Sequence, residues 1–541
     1  MSQSALSAND AAFNSLPPWR VYAEIALVFA VFFLHGAWTT PDVNETGYLT
    51  KAQHFWNHDA FAHDFFCNTG DAHAVFYWAF GWLTTLGWSL DVVAWIGRIA
   101  TWFMLAIAWR GLSYALLSRP WLAVLSAEIF ILLTEQAYMA GEWIVGGVEA
   151  KGFAWAFVLW ALHALVRDRW AWAWLLVGVA TSLHVVVGGW AAVCLGIVWI
   201  ASPHTRPAVT ALLPRMVGGL ILALPGLWFA ARLNDGADWY TVAEASRIQV
   251  IERLPHHLFA PAFEAGYIPR HLLLWALFVL LCTAMPASPA ERRLRVFVFA
   301  TMGIAIVGLC LGGLVSLGPM TVQSGNIVVQ AAVFLLRFYW LRLSDILVPI
   351  GVSILGLRYL VVLFATRRMC AQWICVGLAA LLLYDGYKQV RHIPPILDAE
   401  HFVTTRADRD DSLTDAEDWR GVCRWANEHT PPGTVFLTPT NCSTFKWYSG
   451  RDEVATWKDI PQDARSIVKW WKRLQDISEV DSVSLQGEPS PPEQRIERLR
   501  KLGVRFGVEF VVVQKLSRKS ERDPGAAYSN EAYAVYRVDP P

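Results

Sequence analysis

Asp42 and Glu45 stand three residues apart in the stretch TTPDVNETGYLTKAQHFWNHDAFAHDFF, which begins at Thr39 directly after a long apolar run. Two roles fit that spacing. Asp-x-x-Glu is a helix-start device, in which Asp42 caps the helix and Glu45 reaches back to it. A carboxylate that aromatic neighbours hold partly out of water also gains proton affinity and can act as a general base. The two roles are compatible. The same stretch carries Tyr48, Lys51, His54, His58, Asp59, His63 and Asp64, with Asp71 and His73 close behind. Ionisable groups at the edge of lipid are costly and commonly functional. Asp42 and Glu45 are therefore the candidate catalytic pair, with Tyr48 and His54 as candidate substrate ligands.

Three further stretches bear on chemistry. GEWIVGGVEAKGFAW places Glu149 and Lys151 just after the glycine pair Gly146–Gly147, together with Glu142. This is either a second acid with a phosphate-pairing lysine or a helix start whose lysine snorkels to the interface. His184, in HVVVGGW, is either a ligand or a hydrogen-bonded packing residue. QAAVFLLRFYWLRLSDILVP carries Arg337, Arg342 and Asp345. Arg342 and Asp345 are at i, i+3 and can pair. Arg337 has no acid within reach along its helix, and its guanidinium fork suits a lipid phosphate as well as it suits snorkelling to headgroups. The adjacent His256 and His257 lack a carboxylate at ligand spacing, which is a weak metal signal.

The elements that must position these groups are apolar helices. Of the 541 residues, 55% are hydrophobic and 17% charged, against roughly 25% charged in soluble domains. Residues 20–386 hold runs long enough to cross a bilayer, at 20–38, 91–117, 120–140, 148–166, 170–186, 188–201, 213–232, 271–286, 295–315, 345–365 and 370–386, about eleven spans. Within 170–201, Gly188 and Gly189 are read as a tight join. The expected class is mainly α: a polytopic helical membrane bundle with a small C-terminal α/β domain at 387–541. Arginine clusters fall at every second loop, which puts residues 1–19 in the cytoplasm and the first outer loop, 39–90, together with the C-terminal domain, outside it. The apolar segment 71–90 is read as a helix lying in the interface, since another span would upset the alternation. The formal net charge of zero gives no argument for nucleic acid binding. The eight cysteines show no CxxC spacing, and Cys423 and Cys442 are open to either pairing or burial as thiols.

An anchor helix, an acidic pair with a tyrosine in the first outer loop, many spans and an outer soluble domain resemble the GT-C superfamily of integral membrane glycosyltransferases. Its first-loop motif often reads Asp-Glu-x-x-Tyr. Here Asn44-Glu45-Thr46-Gly47-Tyr48 matches at Glu45 and Tyr48 and departs at Asn44, with Asp42 two residues upstream. The rest of the chain is more similar to a bacterial multispanning family of undefined activity with the same layout. The resemblance implies a polyprenyl-phosphate sugar as donor, an extracytoplasmic acceptor, Asp42 or Glu45 as base, Arg337 and Lys151 at the departing phosphate, and the bacterial inner membrane as location. Membrane lipids are the expected partners. No cofactor is implied; a divalent metal is left open, because the acids form no clear ligand cluster. A transporter or flippase of lipid-linked glycans, or a non-catalytic envelope scaffold, would use the same residues to hold cargo or partners.

Overall fold

A computed structural model of the chain describes residues 17–318, 326–390, 404–411, 413, 415–481, 492–515 and 525–538. The expected cytoplasmic tail 1–19 lies outside the described residues except for its last three.

All eleven expected positions are helical. Among the described residues, seven helices are long and apolar enough to cross a membrane: Pro18–Gly36, Leu90–Leu117, Val209–Arg232, Tyr267–Ala284, Pro289–Ser316, Arg342–Thr366 and Arg368–Val390. The protein is a multi-pass membrane protein. The other four, Leu122–Ala137, Ala150–Val166, Trp170–Leu183 and Val185–Ile200, have 14 to 17 residues. Ala150–Val166 is the most enclosed of these; Trp155 and Leu159 on it are fully buried within the apolar core. Segment 71–90 forms a short helix, Ala74–Gly81, continued by a 3-10 turn, Trp82–Leu86. It packs with the first-loop helix, Glu45–Trp56, in an aromatic cluster with Phe76, Tyr77 and Phe153.

Small residues let the helices meet backbone to backbone. A Cβ on Gly178 would lie 2.1 Å from the carbonyl oxygen of Gly219, and one on Gly226 would lie 2.3 Å from that of Ser182. The Trp170–Leu183 and Val209–Arg232 helices therefore cross at a distance that only glycine allows, the usual solution where lipid supplies no hydrophobic drive for association. The expected turn at Gly188–Gly189 is not where the chain turns. Helix Trp170–Leu183 ends and Val185–Ile200 begins at the single residue His184, whose Nδ1 accepts from the Val187 N–H at 3.3 Å. Gly188 instead sits inside the second helix, where a Cβ would strike the Thr181 backbone nitrogen at 2.2 Å.

The C-terminal unit is a five-stranded sheet in the order β2-β1-β3-β5-β4, with β1 Val435–Leu437, β2 Asp452–Glu453, β3 Phe510–Gln514, β4 Tyr528–Ser529 and β5 Tyr533–Arg537. β1 pairs in parallel with β2 and β3, and β5 runs antiparallel to β3 and β4. Helix Ala416–His429 buries Trp419 and Val422 against one face. Helices Ala464–Asp481 and Pro492–Phe506 bury Trp470 and Leu499 against the other. Cys423 and Cys442 are buried free thiols.

The sheet unit is joined to the first loop by specific bonds. The His63 N–H donates to Asp452 at 2.8 Å, and the Gly70 N–H donates to Asp463 at 3.0 Å. Lys446, 1% exposed, lies 3.3 Å from Asp64 of the first loop and 2.8 and 2.5 Å from Glu453 and Asp459 of its own unit. Overpacked cores lose about 1–3 kcal/mol, so Gly178→Ala should lower the thermal unfolding temperature of the detergent-solubilised protein. Gly303→Ala, where a Cβ meets nothing within 4 Å, should not. Equal effects would show that the glycine crossing does not govern packing.

Candidate active site

Glu45, fully buried, forms the frame of the site. Its Oε1 accepts from Arg98 Nε at 2.6 Å and from the Val148 N–H at 2.8 Å. Its Oε2 accepts from Arg98 Nη2 at 2.6 Å and from the Asp42 N–H at 2.7 Å. Each oxygen thus has two donors, the full capacity of a carboxylate. Arg98, also fully buried, donates further to the Trp38 carbonyl at 2.5 Å. The expected reach-back of Glu45 to the Asp42 N–H is present, but Asp42 does not cap the helix side-on. Its carboxylate accepts from the Val43 N–H at 2.7 Å and the Gly147 N–H at 2.9 Å, with Arg406 at 3.4 Å. Gly147 can come so close because it lacks a side chain: a Cβ there would sit 2.7 Å from Asp42 Cβ.

These bonds align two segments, 44–48 and 141–151, along one wall of a cavity of about 380 Å³. Asp42 and Glu45 lie behind that wall and do not line it. Of the other sequence candidates, Tyr48, Glu149, Lys151, His184, Arg337 and Arg342 do line it. His54 does not; its Nδ1 is 2.8 Å from the Ala60 carbonyl. Asp345 does not either. It accepts from the Met139, Ala140 and Glu142 N–H groups at 2.8, 2.8 and 3.2 Å and so shapes the loop that carries Glu142. Arg342 turns from Asp345 to Glu142, at 2.7 Å.

Glu149 is the acid best placed in the cavity. Its Oε1 accepts from Asn44 Nδ2 at 2.7 Å, and its Oε2 lies 3.5 Å from Lys151 Nζ. This contact gives Asn44, which departs from the Asp-Glu-x-x-Tyr pattern, a local role. An aspartate there would set one carboxylate against another, whereas the amide donates. Lys151 also lies 3.7 Å from Glu142 and 4.0 Å from the centroid of the Trp143 ring. The Tyr48 hydroxyl is 3.2 Å from His73 Nε2, and His73 stacks on His184 with ring centroids 5.2 Å apart. Burial, with Lys51 and Arg342, pushes His73 down to about 4, so its ring is neutral at neutral pH. Burial and then Glu149 raise the pKa of the Tyr48 hydroxyl, which stays protonated.

The lining is cationic. Lys151, Arg253, Arg337, Arg342 and Lys458 face Glu142, Glu149 and Asp459, five positive groups against three negative, a balance of +2. Arg337 donates to Gln249 at 2.7 Å, and Arg253 to the Trp457 carbonyl at 2.7 Å. Neither makes an ion pair among the described residues. Burial lowers Arg337 to about 10, which leaves it charged. Gln249 and Arg253 both belong to a π-helical turn, Ile248–Arg253, a distortion common at functional sites. Lys458, Asp459 and Gln462 come from the C-terminal unit, which closes the cavity. Sequence reasoning did not single out Arg253, Lys458 or Asn44 as ligands. Arg253 is one charge in a long polar loop, Lys458 belongs to the C-terminal unit, far in sequence from the membrane segments that line the cavity, and Asn44 reads as a departure. Among the described residues no group of three or more His, Cys, Asp or Glu is placed to hold a metal ion.

A family described as "Domain of unknown function (DUF6798)" matches residues 417–477, within the C-terminal unit. No curated protein matches the chain. Among solved structures, ArnT from Cupriavidus metallidurans in the apo state aligns over 96% of this chain and 98% of its own, at 13% identity and a TM-score of 0.37. The same protein bound to undecaprenyl phosphate aligns over 96% and 97%, at 14% identity and a TM-score of 0.37.

Removing one partner of a buried ion pair costs about 3–5 kcal/mol. Arg98→Met should therefore destabilise the protein by about that much, and Glu45→Gln added to it should recover part of the loss, as read from unfolding in detergent. A single variant as stable as the unsubstituted protein would remove Glu45–Arg98 from its place as the frame.

Proposed function

We propose that this cavity is the active site of a membrane glycosyltransferase that moves a sugar from a polyprenyl-phosphate donor to an acceptor hydroxyl. The observation that carries the proposal is a cavity with two arginines that have no carboxylate partner among the described residues, Arg253 and Arg337, and a buried acid, Glu149, with lone pairs to spare. An anionic ligand restores neutrality, and an arginine fork matches a phosphate. In this reading Glu149 takes the proton from the acceptor hydroxyl, whose oxygen attacks the anomeric carbon. The bond from that carbon to the phosphate oxygen breaks, and Arg253 and Arg337 neutralise the lipid phosphate as it leaves. Asn44 and Lys151 hold the Glu149 carboxylate in place.

The base is thus proposed at Glu149, and the pair Asp42 and Glu45 becomes its support: Glu45 already accepts four hydrogen bonds, and Asp42, held by the Val43 and Gly147 N–H groups and Arg406, does not line the cavity. Tyr48, His73 and His184, neutral and hydrogen-bonded, face the sugar. We place the cavity at the extracytoplasmic surface of a bacterial inner membrane, with the C-terminal unit on that side, in keeping with the arginine distribution among the loops.

The test is release of polyprenyl phosphate from a panel of polyprenyl-phosphate hexoses and pentoses by the purified protein, with a cell-envelope extract present to supply acceptor hydroxyls. General base catalysis contributes about 10²–10⁴-fold, so Glu149→Gln should lose that much while its unfolding temperature is retained. Charge-assisted hydrogen bonds are worth about 1.5–3 kcal/mol, so Arg337→Gln should weaken donor binding about tenfold or more. A Glu149→Gln protein with full turnover would overturn the assignment. Binding or translocation of the lipid with no cleavage by the unsubstituted protein would replace the enzyme with a carrier.

A further inference from the structure

Helix Ala150–Val166 begins at the cavity and ends at a second, open pocket of about 220 Å³. From Lys151 to Arg167 is about 24 Å along the helix axis at 1.5 Å per residue, close to a hydrocarbon thickness of about 30 Å. The pocket therefore lies near the opposite face of the bundle. It is lined by Trp160, His163 and Arg167 from this helix and by Arg169, Trp172 and Leu176 from the turn and the next helix.

The turn sorts its charges. Asp168 adopts a left-handed conformation, φ 63°. Its carboxylate lies 2.6 Å from Arg293 and accepts from Trp170 Nε1 at 2.8 Å. Asp168 is thereby neutralised outside the pocket, and the lining contains two arginines and no carboxylate. Arg169 is exposed and has no ion-pair partner among the described residues. His163 Nε2 is buried without a hydrogen-bond partner there. Trp160 and Trp172 flank the cations, and Trp172 is 60% exposed. Tryptophan beside arginine at the end of a membrane helix sits at headgroup depth, where the ring faces acyl chains and the guanidinium faces phosphate.

We propose that this pocket binds the phosphate of an anionic phospholipid from the leaflet opposite the cavity, gripped by Arg167 and Arg169 between the two tryptophans. The chemistry recognised is a phosphate group; the apolar flanks assign it to a lipid and not to free phosphate. The site is separate from the proposed transfer reaction and stands whether or not that reaction is confirmed.

Native mass spectrometry of the full chain, titrated with dioleoyl phosphatidylglycerol, dioleoyl phosphatidylcholine or inorganic phosphate, tests it. A basic side chain near an anionic lipid surface is worth about 1 kcal/mol, which is about fivefold in affinity. Arg169→Ala should weaken phosphatidylglycerol binding about fivefold, and Arg167→Ala/Arg169→Ala more, with phosphatidylcholine binding unchanged. Arg292→Ala, an exposed cation outside the pocket lining, should leave both unchanged. Because the Arg169 side chain is exposed and has no ion-pair partner among the described residues, its removal leaves the fold intact. The proposal is overturned if Arg169→Ala binds phosphatidylglycerol normally, or if Arg292→Ala loses as much. It is also overturned if inorganic phosphate displaces the lipid at equal concentration.

Discussion

The carboxylate of Glu45 accepts hydrogen bonds from three parts of the chain that are distant in sequence: Arg98 on a membrane helix, Val148 in the loop before another, and Asp42 in its own turn. Taking an acid and a guanidinium out of water costs several kcal/mol per ion, and only near-ideal geometry with saturated lone pairs offsets that cost. Glu45 and Arg98 meet both conditions, so the loop 141–149 has one place where it can close against the first-loop helix. Gly147 belongs to the same constraint, since any side chain there would push Asp42 away. The cavity wall follows from this join. Asn44 and Glu149 are brought together because the residues directly beside them, Glu45 and Val148, are already bonded.

A second buried ionic group fixes the roof. Lys446 gathers Asp64, Glu453 and Asp459, one acid from the first loop and two from the C-terminal unit. Three acids about one ammonium leave negative charge behind, and Asp459 passes part of it to the cationic cavity that it lines. The C-terminal unit is thus part of the cavity wall and not a separate appendage. Lys51 performs a comparable task within the first loop, donating to the carbonyls of Phe66, Thr69 and Gly70 and to the Thr69 hydroxyl. Several charges that read as reactive in the sequence therefore serve to close backbone.

Much of this architecture was legible beforehand. Apolar runs located the membrane helices, because hydropathy over a bilayer's depth needs no knowledge of neighbours. The apolar run VEFVVVQ reads as a buried strand and PPEQRIERLRKLG as an amphipathic helix, and these are β3 and the helix beside it. Tyr48, Glu149, Lys151, His184, Arg337 and Arg342 were picked out as polar groups at helix ends and do share one cavity. The Gly188–Gly189 turn was misplaced because glycine serves close helix packing as readily as it serves turns. His54 was grouped with the site by proximity in sequence, yet its ring closes a local turn on Ala60.

The amino-acid sequence alone determined which segments enter lipid, which carry charge to its edge, and that acids and arginines at one set of loops could meet. Those properties depend on the transfer free energy of each segment, which is local and nearly additive. Only the tertiary structure decided which acid is saturated and which keeps lone pairs. Glu45 and Glu149 are the same side chain, and what separates them is four donors around one and two contacts around the other. That difference is set by the positions of Arg98, Asn44 and Lys151 in space, a non-local quantity that no spacing along the chain encodes.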